Sequence, residues 1–321
     1  MTTFGDMLYQ LGGMPVMAGL PFGPKAKYYF VDPANGNDSN PGTDLSKPMA
    51  SIEAAEARCV ANQNDTVFYI GGSSSDSLTA ALTWDKNYTH LIGICAPSHV
   101  GQRARIFQTA TLTGASPLLN VTASGCIFKN FYIFQGVDDA TSLINVQVTG
   151  ERNYFENVHF AGGGHATQAI NGGASLKING GSENRFVHCT VGVDTADAAT
   201  GMVALLFDAA ATRNLFEDCL FTIEAGNAGA GFVEVADNAA LGRYTLFRRC
   251  SFLNPNANQF TMAAAFLIGA QTANRPNRIF LQDCMSYGAT TWDANDRGIL
   301  MGNMSAVTGA DLSGAAVEMV T

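Results

Sequence analysis

The sequence predicts an all-β chain that folds as one elongated parallel β-helix, with three strands and about 30 residues in each coil. Three observations support this prediction: a motif that recurs at nearly constant spacing, an apolar strand before most copies, and a glycine-rich composition with few charges. Charged residues make up 14% of the 321 residues, against roughly 25% in an ordinary soluble domain. A solenoid accommodates this length as one domain, because each coil contacts only its neighbours.

The motif occurs six times, and each copy spans four residues from a large apolar side chain to a small or apolar one. The copies are Phe128–Phe131, Phe155–Val158, Phe186–Cys189, Phe216–Cys219, Phe247–Cys250 and Leu281–Cys284. Their last positions are 27, 31, 30, 31 and 34 residues apart. Two positions later most copies carry another apolar residue, at Ile133, Phe160, Val191, Phe221 and Phe252. Such a fixed period indicates stacked coils, each with the same strands.

A bend is predicted inside each copy of the motif. Side chains alternate along a strand, so two residues three positions apart face the same core only if the chain bends between them. The residues at the predicted bend are Asn130, Asn157, His188, Asp218, Arg249 and Asp283. Asn, Asp and His tolerate the left-handed backbone that such a bend needs, whereas Arg249 fits less well. The apolar strands upstream are predicted at 143–148, 176–178, 203–207, 232–235 and 265–268.

This pattern resembles the pectate-lyase-like right-handed parallel β-helices, in which a bend with stacked asparagines separates the second and third strands. The beginning of the chain resembles the same superfamily over 28–33, 35–43, 47–55 and 65–71. The resemblance implies an opening strand, a turn, a short N-terminal capping helix and a first coil. It predicts the fold and says little about activity.

The capping helix is also indicated by the residues themselves. Ile52, Ala55, Cys59 and Val60 follow the i, i+3, i+7, i+8 spacing behind Ser51, which can serve as the N-cap. We therefore predict a helix near 51–62 that closes the end of the solenoid, where exposed strand edges would invite aggregation. The predicted β-helix spans 25–304 and is followed by a C-terminal tail at 305–321.

Residues 1–24 lie outside the repeat and form a predicted docking arm. The residues expected to carry the docking are apolar; they are Phe4, Met7, Leu8, Leu11, Pro15 and Val16. The first four follow helical spacing, and Gly12 and Gly13 end the pattern. A helix this short is marginal alone, so it needs a surface. Either the arm packs along its own solenoid, or it docks on another protein.

Charge and composition exclude several classes of partner. A net charge of −9 and a pI near 4.9 argue against nucleic acid and anionic membranes. No stretch reaches 18 apolar residues and no Lys or Arg precedes Lys25, so we expect neither a membrane helix nor a secretory signal peptide. Seven cysteines, without a CxxC pair, favour buried, unreactive thiols over disulfides or zinc.

The candidate chemistry is weak, because most acidic residues have a structural interpretation. The resemblance implies that an enzyme of this fold would use paired acids, or calcium with an Arg or Lys base. Glu217 with Arg248, and Asp218 with Arg249, are instead predicted to form salt bridges between coils. Two further acid pairs are predicted on loops that carry no basic residue; they are Asp138 with Asp139 and Asp194 with Asp197.

No metal, cofactor or catalytic residue is predicted. The oxygen-rich segment 32–44 lacks the spacing of a calcium-binding EF-hand and is interpreted as a turn. His159, His165 and His188 occupy different parts of their coils. The long connections 161–174 and 222–231 are rich in Gly and Ala, whereas loops that bind sugars usually carry aromatic and acidic side chains.

The arm joined to this β-helix opening resembles β-helical proteins encoded among bacteriophage head genes. The resemblance implies a non-enzymatic virion protein without a cofactor: a capsid decoration or cement protein that forms homotrimers. Its partners would be itself and the major capsid protein or another virion protein. It would be assembled in the host cytoplasm and located on the capsid surface. The alternatives are a tailspike or head-spike that binds or cleaves a surface polysaccharide, as a lyase or glycosidase, and a spike that only binds carbohydrate.

Overall fold

The computed structural model of the protein describes residues 25–237, 239–268, 278–293, 299–302 and 316–318. They form a parallel β-solenoid with three strands per coil, which confirms the predicted fold. Successive strands enter sheets A, B and C in turn, so each sheet runs the length of the rod.

The strands of the three sheets have the following bounds. Sheet A contains β1 (Tyr28–Val31), β2 (Thr66–Ile70), β5 (His90–Ile94), β8 (Ile127–Lys129), β11 (Tyr154–Glu156), β14 (Arg185–Val187), β17 (Asn214–Glu217), β20 (Tyr244–Arg248), β23 (Arg278–Gln282), β26 (Ile299–Gly302) and β27 (Ala316–Glu318). Sheet B contains β3 (Asp76–Leu78), β6 (Arg105–Gln108), β9 (Tyr132–Phe134), β12 (His159–Ala161), β15 (Thr190–Ala198), β18 (Leu220–Ala225), β21 (Ser251–Leu253) and β24 (Met285–Tyr287). Sheet C contains β4 (Leu82–Trp84), β7 (Leu119–Val121), β10 (Ile144–Val148), β13 (Ala174–Asn179), β16 (Val203–Ala209), β19 (Gly231–Val235), β22 (Met262–Ile268) and β25 (Ala289–Asp293).

The predicted bend joins sheet A to sheet B in each of the six coils that carry the motif. All six bend residues have a positive φ, between 51° and 59°. Arg249 adopts this conformation as well, although its side chain does not favour it. Its guanidinium donates two hydrogen bonds to Asp218 on the preceding coil, at 2.7 and 2.8 Å. These charge-assisted bonds help to offset the cost of the left-handed backbone.

The core is a stack of aromatic rings along the rod axis. The first positions of the motif place five phenylalanines in register on sheet A, with centroids 4.5–4.9 Å apart; they are Phe128, Phe155, Phe186, Phe216 and Phe247. Cys189, Cys219 and Cys250 stack beside them and are buried as predicted, and no described cysteine forms a disulfide. Burial raises the pKa of Cys219 well above its usual range.

A buried asparagine ladder, absent from the sequence prediction, stabilises the turn from sheet C to sheet A. Asn153, Asn184 and Asn214 lie at equivalent places in three coils, and each side chain accepts a backbone N–H from the coil before it. Their amide groups also donate to carbonyl oxygens of the preceding coil, at 2.9–3.0 Å. The ladder therefore satisfies backbone groups that would otherwise be buried without partners.

The N-terminal end is closed by helix α1 (Ile52–Arg58), which is shorter than the predicted 51–62. Ser51 is the N-cap, and its hydroxyl accepts from the backbone N–H of Ala54 at 3.2 Å. The prediction that Val60 lies on the buried face is wrong, because the chain turns extended at Cys59 and leaves Val60 42% exposed. At the other end, β27 lies within the predicted tail and pairs antiparallel with β26.

Candidate functional site on the outer face of sheet C

The outer face of sheet C carries one column of polar and apolar side chains along the rod. Side chains alternate between the two faces of a strand, so Leu176 and Leu205 point into the core and the residues next to them point outward. The outward column, in register from coil to coil, is Asn120, Gln147, Lys177, Leu206, Glu234 and Leu267. Three coils of this column, from β13 to β19, bring charged groups together.

Lys177 and Asp208 form an ion pair between β13 and β16. The register of these strands shifts between Ile178 and Asn179, so Asp208 is an extra residue in β16. A β-bulge of this kind re-aims a side chain. The Asp208 carboxylate lies 2.6 Å from the Lys177 ammonium, and the Lys177 side chain is only 17% exposed. The lysine is therefore held between coils beside an apolar surface.

Glu234 lies on the next coil in a different environment. It is in register with Leu206 and Leu267, and Leu206 is only 9% exposed because it packs with a small apolar cluster outside the main core. Burial raises the pKa of Glu234, and the negative charge of Asp208 raises it further. No ion pair joins Glu234 to another residue of the described ranges.

This arrangement suits acid–base chemistry. Two carboxylates on adjacent coils whose surroundings differ tend to divide between a protonated and an ionised form. Glu234, whose pKa is raised, retains a proton more readily than an exposed glutamate does, whereas Asp208 is ion-paired with Lys177. Such a pair can donate hydrogen bonds to hydroxyl groups and accept hydrogen bonds from them. It can also transfer a proton to a bound molecule.

This cluster was not predicted from the sequence. Alternation alone places Lys177 of β13 and Glu234 of β19 on the outside of sheet C, on either side of Leu206 of β16, so charged outward positions two coils apart were an available signal. The bulge that aims Asp208 at Lys177 has no local sequence signature, because it depends on the register of two strands about 30 residues apart.

The predicted salt bridges between coils are confirmed. Arg248 Nη1 lies 3.1 Å from Glu217 Oε1, and Arg249 Nε lies 2.7 Å from Asp218 Oδ1. Arg185 joins the same network from the preceding coil, 2.6 Å from Glu217. These acids therefore have the structural role that their spacing predicts.

The two predicted loop pairs differ in position. Asp138 and Asp139 do lie on a loop, where Asp139 accepts hydrogen bonds from Ser142, Thr141 and Gly114, which hold its pKa well below its usual range. The placement of Asp194 and Asp197 on a loop is wrong, because both lie within β15. That strand continues because it pairs with β18 again at Ala198, beyond an irregularity in register.

The segment 32–44 behaves as a turn. Asp32 accepts from the backbone N–H of Ala34, and Asp44 accepts from that of Ser46. Asp38 accepts from the backbone N–H groups of residues 50 and 51 and thereby fixes the start of α1. Over the described part of the chain, no three or more His, Cys, Asp or Glu side chains are grouped to hold a metal ion.

His159 holds a long connection, residues 96–104, which we call the strap. The strap follows β5 and reaches two or three coils along the rod. The Gly101 N–H donates to His159 Nδ1 at 3.2 Å, and His159 Nε2 lies 2.9 Å from the Gly192 carbonyl oxygen. His159 is 4% exposed, and burial lowers its pKa to about 4. His159 therefore has a structural role, because both of its ring nitrogens already have a hydrogen-bond partner.

The predicted docking residues Phe4, Met7, Leu8, Leu11, Pro15 and Val16 lie outside the described residues. Among the residues that the structure describes, no helix has the length and apolar character needed to cross a membrane.

Comparison with known proteins gives similarity in structure alone. No protein family model matches the chain, and no curated protein sequence matches it. The pectate lyase Pel9A superposes with a TM-score of 0.58 at 17% identity, over 89% of this chain and 70% of that one. The pectin methylesterase PemA from Erwinia chrysanthemi gives 0.53 at 17%, over 83% and 80%. The Aspergillus niger pectin methylesterase gives 0.52 at 12%, over 88% and 85%. These similarities confirm the pectate-lyase-like fold.

Proposed function

We propose that the chain is a structural protein of a bacteriophage particle, a homotrimer mounted on the capsid surface through its N-terminal arm and without enzymatic activity. The observation that carries the proposal is that charged side chains of the rod form ion pairs between adjacent coils. On sheet A and its adjoining turns, acidic and basic side chains pair with each other from coil to coil, as Lys129 does with Glu156 at 2.8 Å.

Further pairs of the same kind stiffen the rod. Glu183 lies between Arg152 and Arg213 of the neighbouring coils, and Glu217 lies between Arg185 and Arg248. Networks of ion pairs with fixed geometry contribute more than isolated surface pairs. Together with the stacked aromatic core, they favour a rigid building block over a mobile catalytic surface.

The position of the arm fits a mounting role. The first described residues, 25–27, lead directly into β1 at the end of the rod that α1 closes. An arm that docks on the shell would therefore attach the rod near this capped end. Each trimer would then bridge neighbouring capsid subunits, and its binding free energy would add to the stability of the shell.

Deletion of residues 1–24 tests this proposal. Shells that lack the protein are mixed with full-length or truncated protein, and co-sedimentation and circular dichroism are measured. We expect the full-length protein to sediment with the shells and the truncated protein to stay folded but unbound. The full-length variant Leu8→Asp is a matched control that retains the arm but places a charge at one of its predicted docking residues. Binding by the truncated protein, or no binding by either form, would contradict the docking role.

A second candidate function is binding or hydrolysis of a surface polysaccharide at the site on sheet C. It is favoured by Glu234, whose pKa is raised by burial and by the charge of Asp208, and by the ion pair of Asp208 with Lys177 on the same face. In this function Glu234 would donate a proton to the bridging oxygen, and Asp208 would activate water. The similar structures include enzymes named for pectate and pectin, and they support this candidate only through the shared fold.

The second candidate predicts a specific loss. If the wild-type protein releases reducing ends from the host polysaccharide, Glu234→Gln lowers the rate by roughly 10²-fold or more, as removal of a general acid does. Asp194→Asn, which removes an exposed acid from β15, should leave the rate unchanged. The absence of both binding and release by the wild-type protein would exclude this candidate.

A further inference from the structure

The outer side of sheet B carries two columns of outward side chains, which we call the sheet B face. The first column runs in register from β6 to β24 and contains Arg105, Tyr132, His159, Thr190, Leu220, Ser251 and Met285. The second column lies two residues further along each strand and contains Ser77, Phe107, Phe134, Ala161, Gly192, Thr222, Leu253 and Tyr287. Arg105 carries the one permanent charge among these residues, because burial keeps His159 neutral at pH 7.

The outer sides of the other two sheets are charged. On sheet A, acidic and basic side chains pair from coil to coil, as Lys129 does with Glu156. Sheet C carries the ion pair of Lys177 with Asp208 and the carboxyl group of Glu234. Covering charged groups removes them from water at a large cost in free energy. The sheet B face is therefore the side of the described rod that another surface can cover at the lowest cost.

Apolar side chains lie along the length of the sheet B face. Near the capped end, the half-buried rings of Phe107, Tyr132 and Phe134 contact each other, with centroids 5.4–5.9 Å apart. In the middle the strap crosses the face, and Val100 is 48% exposed between the two strap residues that bond to the face. Two side chains of β24 at the far end are more than half exposed; they are Met285 and Tyr287. Extended apolar surface of this kind marks an interaction site.

A second copy of the same chain fits the sheet B face. Each chain carries a net charge of −9, so copies repel each other unless they meet through a surface without acidic side chains. The charges that border the face differ in sign between its two edges. Arg105 lies on the side of the bend, whereas Asp194 and Glu224 lie on the side of sheet C. Copies related by an axis parallel to the rod bring opposite edges together, whereas antiparallel copies bring like edges together.

We infer that parallel copies of the chain assemble through the sheet B face, which each subunit of the homotrimer turns towards a common axis. The same residue of each copy then lies at the same height along the rod, so Phe107 faces Phe107 and Tyr287 faces Tyr287. The strap lies inside this interface. The inference rests on the proposed homotrimer and adds to it the face, the direction of the chains and the residues in contact.

A charge placed on the sheet B face tests the inference. Leu253→Asp adds a carboxylate to this face, and the matched control Leu246→Asp adds one to sheet A of the same coil; both leucines point outward and are half-buried. Sedimentation equilibrium gives the mass in solution, and circular dichroism verifies the fold. We expect wild type and Leu246→Asp to have three times the chain mass of 33.8 kDa. The dissociation constant of Leu253→Asp should be about 100-fold higher or more, because like charges then face each other.

The possible results separate the inference from the proposed function. A wild-type mass of 33.8 kDa would overturn both the homotrimer and the inference. A wild-type trimer that Leu253→Asp leaves intact would overturn the inference alone, because the copies would then meet through another face.

Oxidative cross-linking gives a second measurement that does not depend on a weakened assembly. Tyr287→Cys and Phe280→Cys each place a thiol at an exposed aromatic position of adjoining strands, on sheet B and sheet A respectively. We expect Tyr287→Cys to form disulfide-linked dimers at about tenfold or more above Phe280→Cys, because assembly holds its thiols at a high effective concentration. Equal yields would contradict the assigned face. In a mixture of Tyr287→Cys and Ser77→Cys chains, a disulfide between the two positions would mean antiparallel copies and would overturn the parallel arrangement.

Discussion

We expect Phe186→Ala to lower the free energy of unfolding by about 3–5 kcal/mol, the usual cost of truncating a buried phenylalanine. The Phe186 ring is fully buried and lies in the middle of the aromatic stack, 4.6 Å from Phe155 and 4.5 Å from Phe216. Its removal leaves a cavity between two coils whose backbones are fixed by the strand register, so the neighbours can collapse only partly.

Urea unfolding followed by circular dichroism measures this effect, with Leu215→Ala as the matched control. Leu215 lies beside Phe216 in the same strand but points outward and is only half-buried. We expect the control to lose much less stability. An equal loss in both variants would mean that the aromatic stack contributes no more than ordinary surface packing.

We expect the second large effect from pH, through His159 and the strap. The pKa of His159 is lowered from 6.5 to about 4 by burial, which outweighs the opposite effect of its hydrogen bond with the Gly192 carbonyl oxygen. Between these two values the unfolded chain binds a proton that the folded chain does not. The contribution of His159 to the free energy of unfolding is therefore complete above about pH 6.5 and is lost as the pH falls towards 4. This loss of unfolding free energy reaches about 3 kcal/mol at most.

The variant His159→Gln isolates this contribution. Glutamine can accept from Gly101 and donate to Gly192, but it does not titrate. The difference in unfolding free energy between wild type and variant should therefore shrink as the pH is lowered from 6.5 to 4. Glu53 and Asp76, whose pKa values burial raises to about 7 and about 6, act in the opposite direction, but they are present in both proteins and cancel. A difference that stays constant with pH would contradict the assignment.

Hydrogen exchange gives an independent measure of the strap. Charging His159 places a proton on Nδ1, which then faces the N–H of Gly101 and can no longer accept from it. Of the titratable groups around the ring, Asp194 on β15 raises the pKa of His159 and His99 on the strap lowers it. We expect the Gly101 amide to exchange faster at pH 4 than the buried amides of β12 do, after correction for intrinsic rates.

Much of the fold is determined by local patterns in the sequence. A large apolar first position and a bend residue recur in the six coils that carry the motif, and a cysteine ends four of the six copies, because each coil meets similar neighbours above and below. For this reason the bends at Asn130 to Asp283 and the pairing of Glu217 with Arg248 could be predicted from spacing alone. The buried ladder of Asn153, Asn184 and Asn214 has the same periodicity and was equally accessible.

Contacts that break the repeat were decided by the tertiary structure alone. The strap joins His99 to Thr190, residues 91 positions apart, and the bulge in β16 aims Asp208 at Lys177. The raised pKa of Glu234 depends on burial beside Leu206 and on the charge of Asp208. The sequence by itself therefore determined the structure of the repeating coil, because each coil follows the same local pattern of residues. The site on sheet C and the strap depend on where different coils meet, which no local pattern records.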